Sequence, residues 1–218
     1  PYDRVIATAA FREVVPTAWL DQLRAGGRLV GPWSTDWTGA LLALDKRHDG
    51  SATGRFLAPL SFMRIRSQRI STYGWEPEND EIAERPSTVT RCLGDDGDAM
   101  FNPDRARFAL GARIPDSFLY IGFDACGERH HVVELDDGRT RSFARLDWNV
   151  DSAQPYTVQQ IGPRRLWDEA EFAYDWWHEQ GEPGMDRFGL EIRGDRQWVW
   201  LDEPGNEVRT MTWTASTR

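Results

Sequence analysis

The sequence predicts a mixed α/β protein in two parts. Residues 1–70 form one α/β unit with an antiparallel ending, and residues 87–218 form an α+β, strand-rich domain. Three observations carry this reading. The first part runs as apolar strand, short helix, strand and hairpin. In the second, short strand-like runs alternate with turn signals around one long amphipathic helix. The charge also divides: residues 1–70 hold 10 basic and 6 acidic side chains (+4), residues 71–218 hold 16 and 29 (−13).

In the first part, Val5 to Ala10 is a short apolar run of the kind found in a buried parallel strand. Pro16 suits a first helical turn, where its missing N–H costs nothing. Ala18, Leu20 and Leu23 supply the apolar positions of a helix over Thr17 to Arg24, and Gly26-Gly27 supplies its stop. Arg28 to Pro32 is the next strand. Ala40 to Lys46 and Arg55 to Ile65 then pair through the turn His48-Asp49-Gly50. Residues 71–86, polar and broken by Pro77 and Pro86, read as a linker.

Beyond the linker, Asn102-Pro103-Asp104 signals a helix start and Gly111 its stop. Phe118 to Phe123, His131 to Leu135 and Arg141 to Leu146 read as strands, the last two joined by Asp136-Asp137-Gly138. Gly162-Pro163 opens the longest helix, Arg164 to Gln180, which Gly181 ends. Its core stripe is Leu166, Ala170, Ala173, Tyr174 and Trp177, with Phe172 and Trp176 as a second apolar row. Glu171, Asp175 and Glu179 make an acidic row, read either as a solvated face or as a surface for a basic peptide. Leu190 to Arg193 and Gln197 to Leu201 form a last hairpin around Gly194-Asp195.

Composition excludes several function classes. Of 218 residues 40% are hydrophobic and 11 are Trp, enough for a sizeable core. No apolar run approaches the roughly 20 residues that span a bilayer. A net charge of −9 argues against non-specific phosphate binding, so no nucleic-acid partner is expected. Cys92 and Cys126 can form one bridge at most. The chain starts at Pro1, without a Met or a signal peptide and close to a strand, so a fragment of a longer, cytoplasmic protein is expected. The strand near Val5 should then pair with a missing N-terminal half or with another chain.

One block is more specific. Pro1-Tyr2-Asp3-Arg4-Val5-Ile6-Ala7-Thr8-Ala9-Ala10 is followed by Val15-Pro16, then by Leu20-Asp21-Gln22-Leu23-Arg24-Ala25-Gly26-Gly27-Arg28-Leu29-Val30 and Pro32. With the hairpin through Asp45-Lys46 and Asp49-Gly50 to Ile65, it resembles the second half of a protein-L-isoaspartate O-methyltransferase catalytic domain. The resemblance implies a Rossmann-like methyltransferase sheet and S-adenosylmethionine as cofactor. The Gly-rich loop and the acid that hold it would lie before Pro1. It also implies an aspartyl or isoaspartyl carboxylate as nucleophile, so that catalysis is mainly alignment. The methyl ester then closes to a succinimide.

For site residues, the resemblance places substrate near Phe11-Arg12-Glu13, where the family has a smaller, uncharged "AP-x". Thr8 and Phe11 are substrate candidates, Thr8 reading equally as a buried strand residue. Arg64 and Arg66 either orient the peptide carboxylate or are solvated strand positions. Ile65-Arg66-Ser67-Gln68 replaces the family's "VPLT", making Ser67 and Gln68 the cofactor candidates.

The second part resembles, more loosely, the C-terminal extension of actinobacterial homologues associated with ribosomally made, modified peptides. The residues that carry this are Arg107 to Gly111, Gly162 to Glu169 and Gly184 to Leu190. No metal site is expected: Cys126, His130, His131 and Glu134 are close in sequence, but adjacent strand histidines point to opposite faces. Asp95-Asp96-Gly97-Asp98 lacks the acid of a calcium loop, since Ala106 stands there. Three functions follow: a carboxyl methyltransferase in peptide modification, a general isoaspartyl repair methyltransferase, and a non-catalytic peptide-binding module.

Overall fold

The computed structural model describes residues 1–69, 77, 87–90, 99–123, 130–149 and 156–211. It divides into two compact units, one of Pro1–Arg69 with Pro183–Arg218 and one of Ile70–Glu182. The fold is mixed α/β and strand-rich. No helix among the described residues is long and apolar enough to cross a membrane.

The first unit is one sheet. Strands β1 (Tyr2–Ile6) and β3 (Leu23–Ser34) run parallel, joined through the two-residue strand β2 (Phe11–Arg12) and the short helix α1 (Thr17–Asp21). β4 (Gly39–Lys46) and β5 (Ala52–Pro59) follow as an antiparallel hairpin. Its turn is closed by Asp49, whose Oδ1 accepts from the N and Oγ of Ser51 at 3.0 and 2.6 Å.

Several boundaries shift, each for a local reason. Helix α1 ends at Asp21, because Leu23 is already paired with Tyr2 in the sheet. Gly26, with φ +75°, lies in an irregularity between the Tyr2–Leu23 and Arg4–Arg28 pairs and not at a helix end. β5 stops at Pro59; residues 60–65 continue without regular pairing except for the Ala10–Arg64 bridge. β1 is parallel as expected, but it spans Tyr2–Ile6 and not Val5 to Ala10, and it is not buried: Ile6 is 77% exposed, and β1 stands at the end of the described strand order.

The largest difference concerns the C-terminal hairpin, expected in the second domain. β6 (Ser87–Val89), β7 (Phe118–Phe123), β8 (His130–Asp137), β9 (Ser142–Asn149) and β10 (Thr157–Ile161) belong to another sheet, whereas β11 (Phe188–Arg193), β12 (Arg196–Leu201) and β13 (Glu207–Met211) extend the first. β11 pairs antiparallel with β5, Gly189 opposite Arg55, giving the order β1-β3-β4-β5-β11-β12-β13 with β2 on β3. The cause is burial. Phe188, Leu190, Ile192 and Val199 are core residues, as are Leu29, Trp33, Leu42, Leu44 and Phe56. The boundary at residue 87 therefore holds 183–218 on the wrong side.

The second unit is a five-stranded antiparallel sheet, in the order β6-β10-β9-β8-β7. Helix α3 (Leu166–Glu179) packs on β8–β10, and α2 (Arg107–Arg113) packs on α3. The expected helix start at Asn102 is a turn: its Oδ1 accepts from the Asp104 N–H at 2.9 Å, and α2 begins five residues later. Gly111 lies buried inside α2 and does not end it.

On α3 four of the five residues expected in the core stripe, Leu166, Ala170, Ala173 and Trp177, are buried, and Tyr174 is half-buried. The acidic row is not one surface. Glu171 is buried and accepts from Trp167 Nε1 at 3.0 Å. The second apolar row meets the Arg113 guanidinium, 4.5 Å from the Trp176 ring and 5.5 Å from Phe172. Most of the linker, both cysteines and the Asp95–Asp98 run lie outside the described residues. Glu134 pairs with Arg145 at 3.5 Å.

Candidate functional site

In an open α/β sheet, ligands bind beyond the carboxyl ends of the parallel strands. Here those ends are Ile6 of β1 and Ser34 of β3, and the chain that follows each meets the other. After β1 the backbone passes close over β3: a Cβ on Gly31 would lie 2.6 Å from the Ala7 Cβ. Only glycine leaves that room. β2 then pairs in parallel with Trp33–Ser34 at the end of β3.

Residues 13–15 leave the sheet while staying buried, so their backbone groups, and the Arg12 N–H just before them, need other partners. Side chains supply them. Gln68 accepts from the Arg12 N–H at 2.7 Å and donates to the Val14 carbonyl at 2.6 Å. Gln197 accepts from the Val15 N–H at 2.9 Å and donates to the carbonyl of the same residue at 2.7 Å. Trp33 Nε1 donates to the Glu13 carbonyl at 2.7 Å, and the Glu13 N–H donates to Ser34 O at 2.9 Å. Glu13 itself has φ +63°, a conformation disfavoured for a residue with a side chain.

Charged side chains fix the same segment. Asp36, just past β3, has a side chain only 3% exposed and lies between two guanidinium groups. Arg12 reaches it through Nε at 3.1 Å and Nη2 at 2.6 Å, and Arg64 through Nη1 at 2.6 Å. Arg64 also donates to the Thr35 carbonyl at 2.9 Å. Glu13 takes a two-point contact from Arg209 of β13, at 2.8 and 3.3 Å. The result is a charge-paired loop whose backbone groups are held by side chains.

Residues 1–69 match the family model for protein-L-isoaspartate(D-aspartate) O-methyltransferase. A protein-L-isoaspartate O-methyltransferase of Stenotrophomonas maltophilia is 39% identical over 67 residues, 31% of this chain and 29% of that protein. One from Hyperthermus butylicus is 35% identical over 75 residues, 34% of this chain and 29% of its own. One from Xylella fastidiosa is 38% identical over 65 residues, 30% of each. The chain thus spans under a third of the length of these curated relatives. The family match ends at Arg69, where the first segment of unit 1 ends, and leaves residues 183–218 outside it.

The six residues singled out from sequence fall in two groups. Phe11, Arg64 and Gln68 gather around the loop. Phe11 is fully buried, edge-on to Trp19 with centroids 5.3 Å apart. Thr8, Arg66 and Ser67 are exposed, Thr8 in a bend and the other two in the 3-10 turn Arg66–Gln68. Gln68, 7% exposed, has both ends of its amide on backbone. Asp36, Gln197 and Arg209 were not singled out. Gln197 does carry a signal, as a polar residue at an alternating position of the apolar run to Leu201.

The methyl donor is a separate matter. Residues 1–69 contain no Gly-rich loop of the dinucleotide type. Of the two residues with a claim on the cofactor, Gln68 is committed to the loop. The residues present do not by themselves fit S-adenosylmethionine.

Proposed function

We propose that this chain carries the second half of the catalytic domain of an S-adenosylmethionine-dependent carboxyl O-methyltransferase. Its substrates are aspartyl or isoaspartyl residues of a peptide or protein. The observation that carries this reading is the family match over residues 1–69, which include the loop beyond β1 and β3. The product is a methyl ester. Attack of the following backbone amide nitrogen on the ester carbonyl expels methoxide, which leaves as methanol with the amide proton, and a succinimide remains. The residues of this chain contribute shape and exclusion of water: the loop is packed, its charges are paired, and it presents one backbone conformation.

The relatives' names favour isoaspartyl carboxylates as the general substrate. A second reading, one dedicated modified peptide, is supported by the size of the chain outside the match, residues 70–218. Labelled-methyl transfer by the full-length protein separates the two. A repair enzyme labels isoaspartyl peptides of unrelated sequence with similar efficiency. A dedicated enzyme labels one precursor peptide and leaves the panel unlabelled. Peptide binding without base-labile ester on any of them would favour a non-catalytic module.

A further inference from the structure

We infer that Gln197 and Arg209, both outside the segment that matches the methyltransferase family, are positioning residues that set the shape of the loop 11–15 for the peptide substrate. This rests on the methyltransferase reading above.

Strand period and register place the two side chains together. Residues 197 and 199 share one face of β12, and Arg209 of β13 is the partner of Val199, so it lies on that face as well. A buried Gln on an otherwise apolar face is costly unless both ends of its amide are satisfied. Here both are, by the N–H and carbonyl of Val15, 182 positions away. The side chain does what a neighbouring strand would do, for a residue that has no strand partner. Arg209 holds the Glu13 carboxylate, and Glu13 is the residue with the left-handed backbone.

The loop is therefore gripped from two sides. Gln68 and Trp33 come from the family-matching segment, whereas Gln197 and Arg209 come from the appended hairpin. A disfavoured φ persists only where the surroundings over-determine it, and such residues gather at functional sites. The grip falls beyond the carboxyl ends of the parallel strands, where a ligand is expected. The appended strands thus take part in the catalytic unit through the loop they hold.

The test uses the full-length protein with the variants Gln197→Ala, Gln197→Glu, Arg209→Ala and Arg209→Lys. Gln197→Glu keeps the acceptor for Val15 N–H and turns the donor into an acceptor facing a carbonyl. Two readouts are taken together: amide hydrogen exchange at residues 12–15, and steady-state methyl transfer to an isoaspartyl peptide. Exchange in β3 and β4 verifies that each variant is folded. In Gln197→Glu and Arg209→Ala, exchange at 12–15 should quicken and peptide KM should rise about tenfold. KM for S-adenosylmethionine should stay unchanged, and Arg209→Lys should recover most of the peptide KM.

Three results would overturn the role: faster exchange with unchanged peptide KM, an equal rise in both KM values, or unchanged exchange. Absence of transfer by the unmodified protein would overturn the methyltransferase reading and this role with it. The exchange data would then still report, separately, whether the grip exists.

Discussion

Arg12 and Asp36 form an ion pair with Nη2 2.6 Å from Oδ2, both side chains almost withdrawn from solvent. Arg64 completes the group, its Nη1 2.6 Å from Oδ1 of the same carboxylate. Removing one member of such a group leaves buried charge without compensation, which costs more than an intact pair contributes. Asp36→Asn keeps the shape and removes the charge. We expect it to lower the unfolding free energy by about 3 kcal/mol. Urea unfolding followed by Trp fluorescence measures this, and a loss below about 0.5 kcal/mol would show the pairing to be incidental.

Ser67 and Gln68 are neighbours with different fates. Gln68→Ala would leave a buried N–H and a buried carbonyl without partners, each costing about 1–3 kcal/mol. Ser67→Ala, at an exposed position, should change stability by under about 0.5 kcal/mol. Thermal unfolding of the two variants side by side decides it. Equal midpoints would remove Gln68 from the loop's support.

A pH effect is expected in the second unit. Burial pushes the Asp137 carboxyl up, but hydrogen bonds from Thr140 and Arg164 outweigh it, and the group ends below its ordinary value. A carboxyl lowered on folding stabilises the protein above its unfolded pKa, and that contribution is lost as pH falls through the folded value. Stability should therefore fall below about pH 4, and more steeply than in Asp137→Asn. Unfolding free energies from pH 6 to pH 2 test this (range chosen about the ordinary Asp value). Parallel curves for the two proteins would contradict it.

On α3 the contrast lies between two acids of one row. Glu171→Ala removes the partner of Trp167 Nε1 inside the core and should cost about 1–3 kcal/mol. Glu179→Gln, exposed in the last turn, should change stability by under about 0.5 kcal/mol. Denaturant midpoints of the two variants are the measurement. Similar midpoints would restore the row as a surface feature.

How much was legible from sequence depends on the range of the interaction. The hairpin at Asp49-Gly50 and the helix between Gly162 and Gly181 are set by local turn chemistry, and both stand where their punctuation puts them. Asn102 misleads because a side-chain oxygen bonded two residues ahead makes a turn or a helix cap with the same atoms. The pairing of β11 with β5 has no local signature, since it joins segments over 130 positions apart. Leu23 reads equally as the last helical position or the first strand residue, and tertiary pairing with Tyr2 decides. At the site, the sequence marks Arg64 as a substrate candidate and Gln68 as a cofactor candidate, and both side chains are bonded to the loop and its flank. Their partners Asp36, Arg12 and Val14 were not legible, because those contacts exist only once the loop has folded over β3.

Methyl transfer tests the central claim most directly. The full-length protein would be incubated with labelled S-adenosylmethionine and a peptide carrying one isoaspartyl residue, and base-labile methyl ester on the peptide measured. The account predicts label on that peptide, released as methanol by mild base, and none on a peptide with no free carboxylate. Complete absence of base-labile ester under these conditions would contradict it.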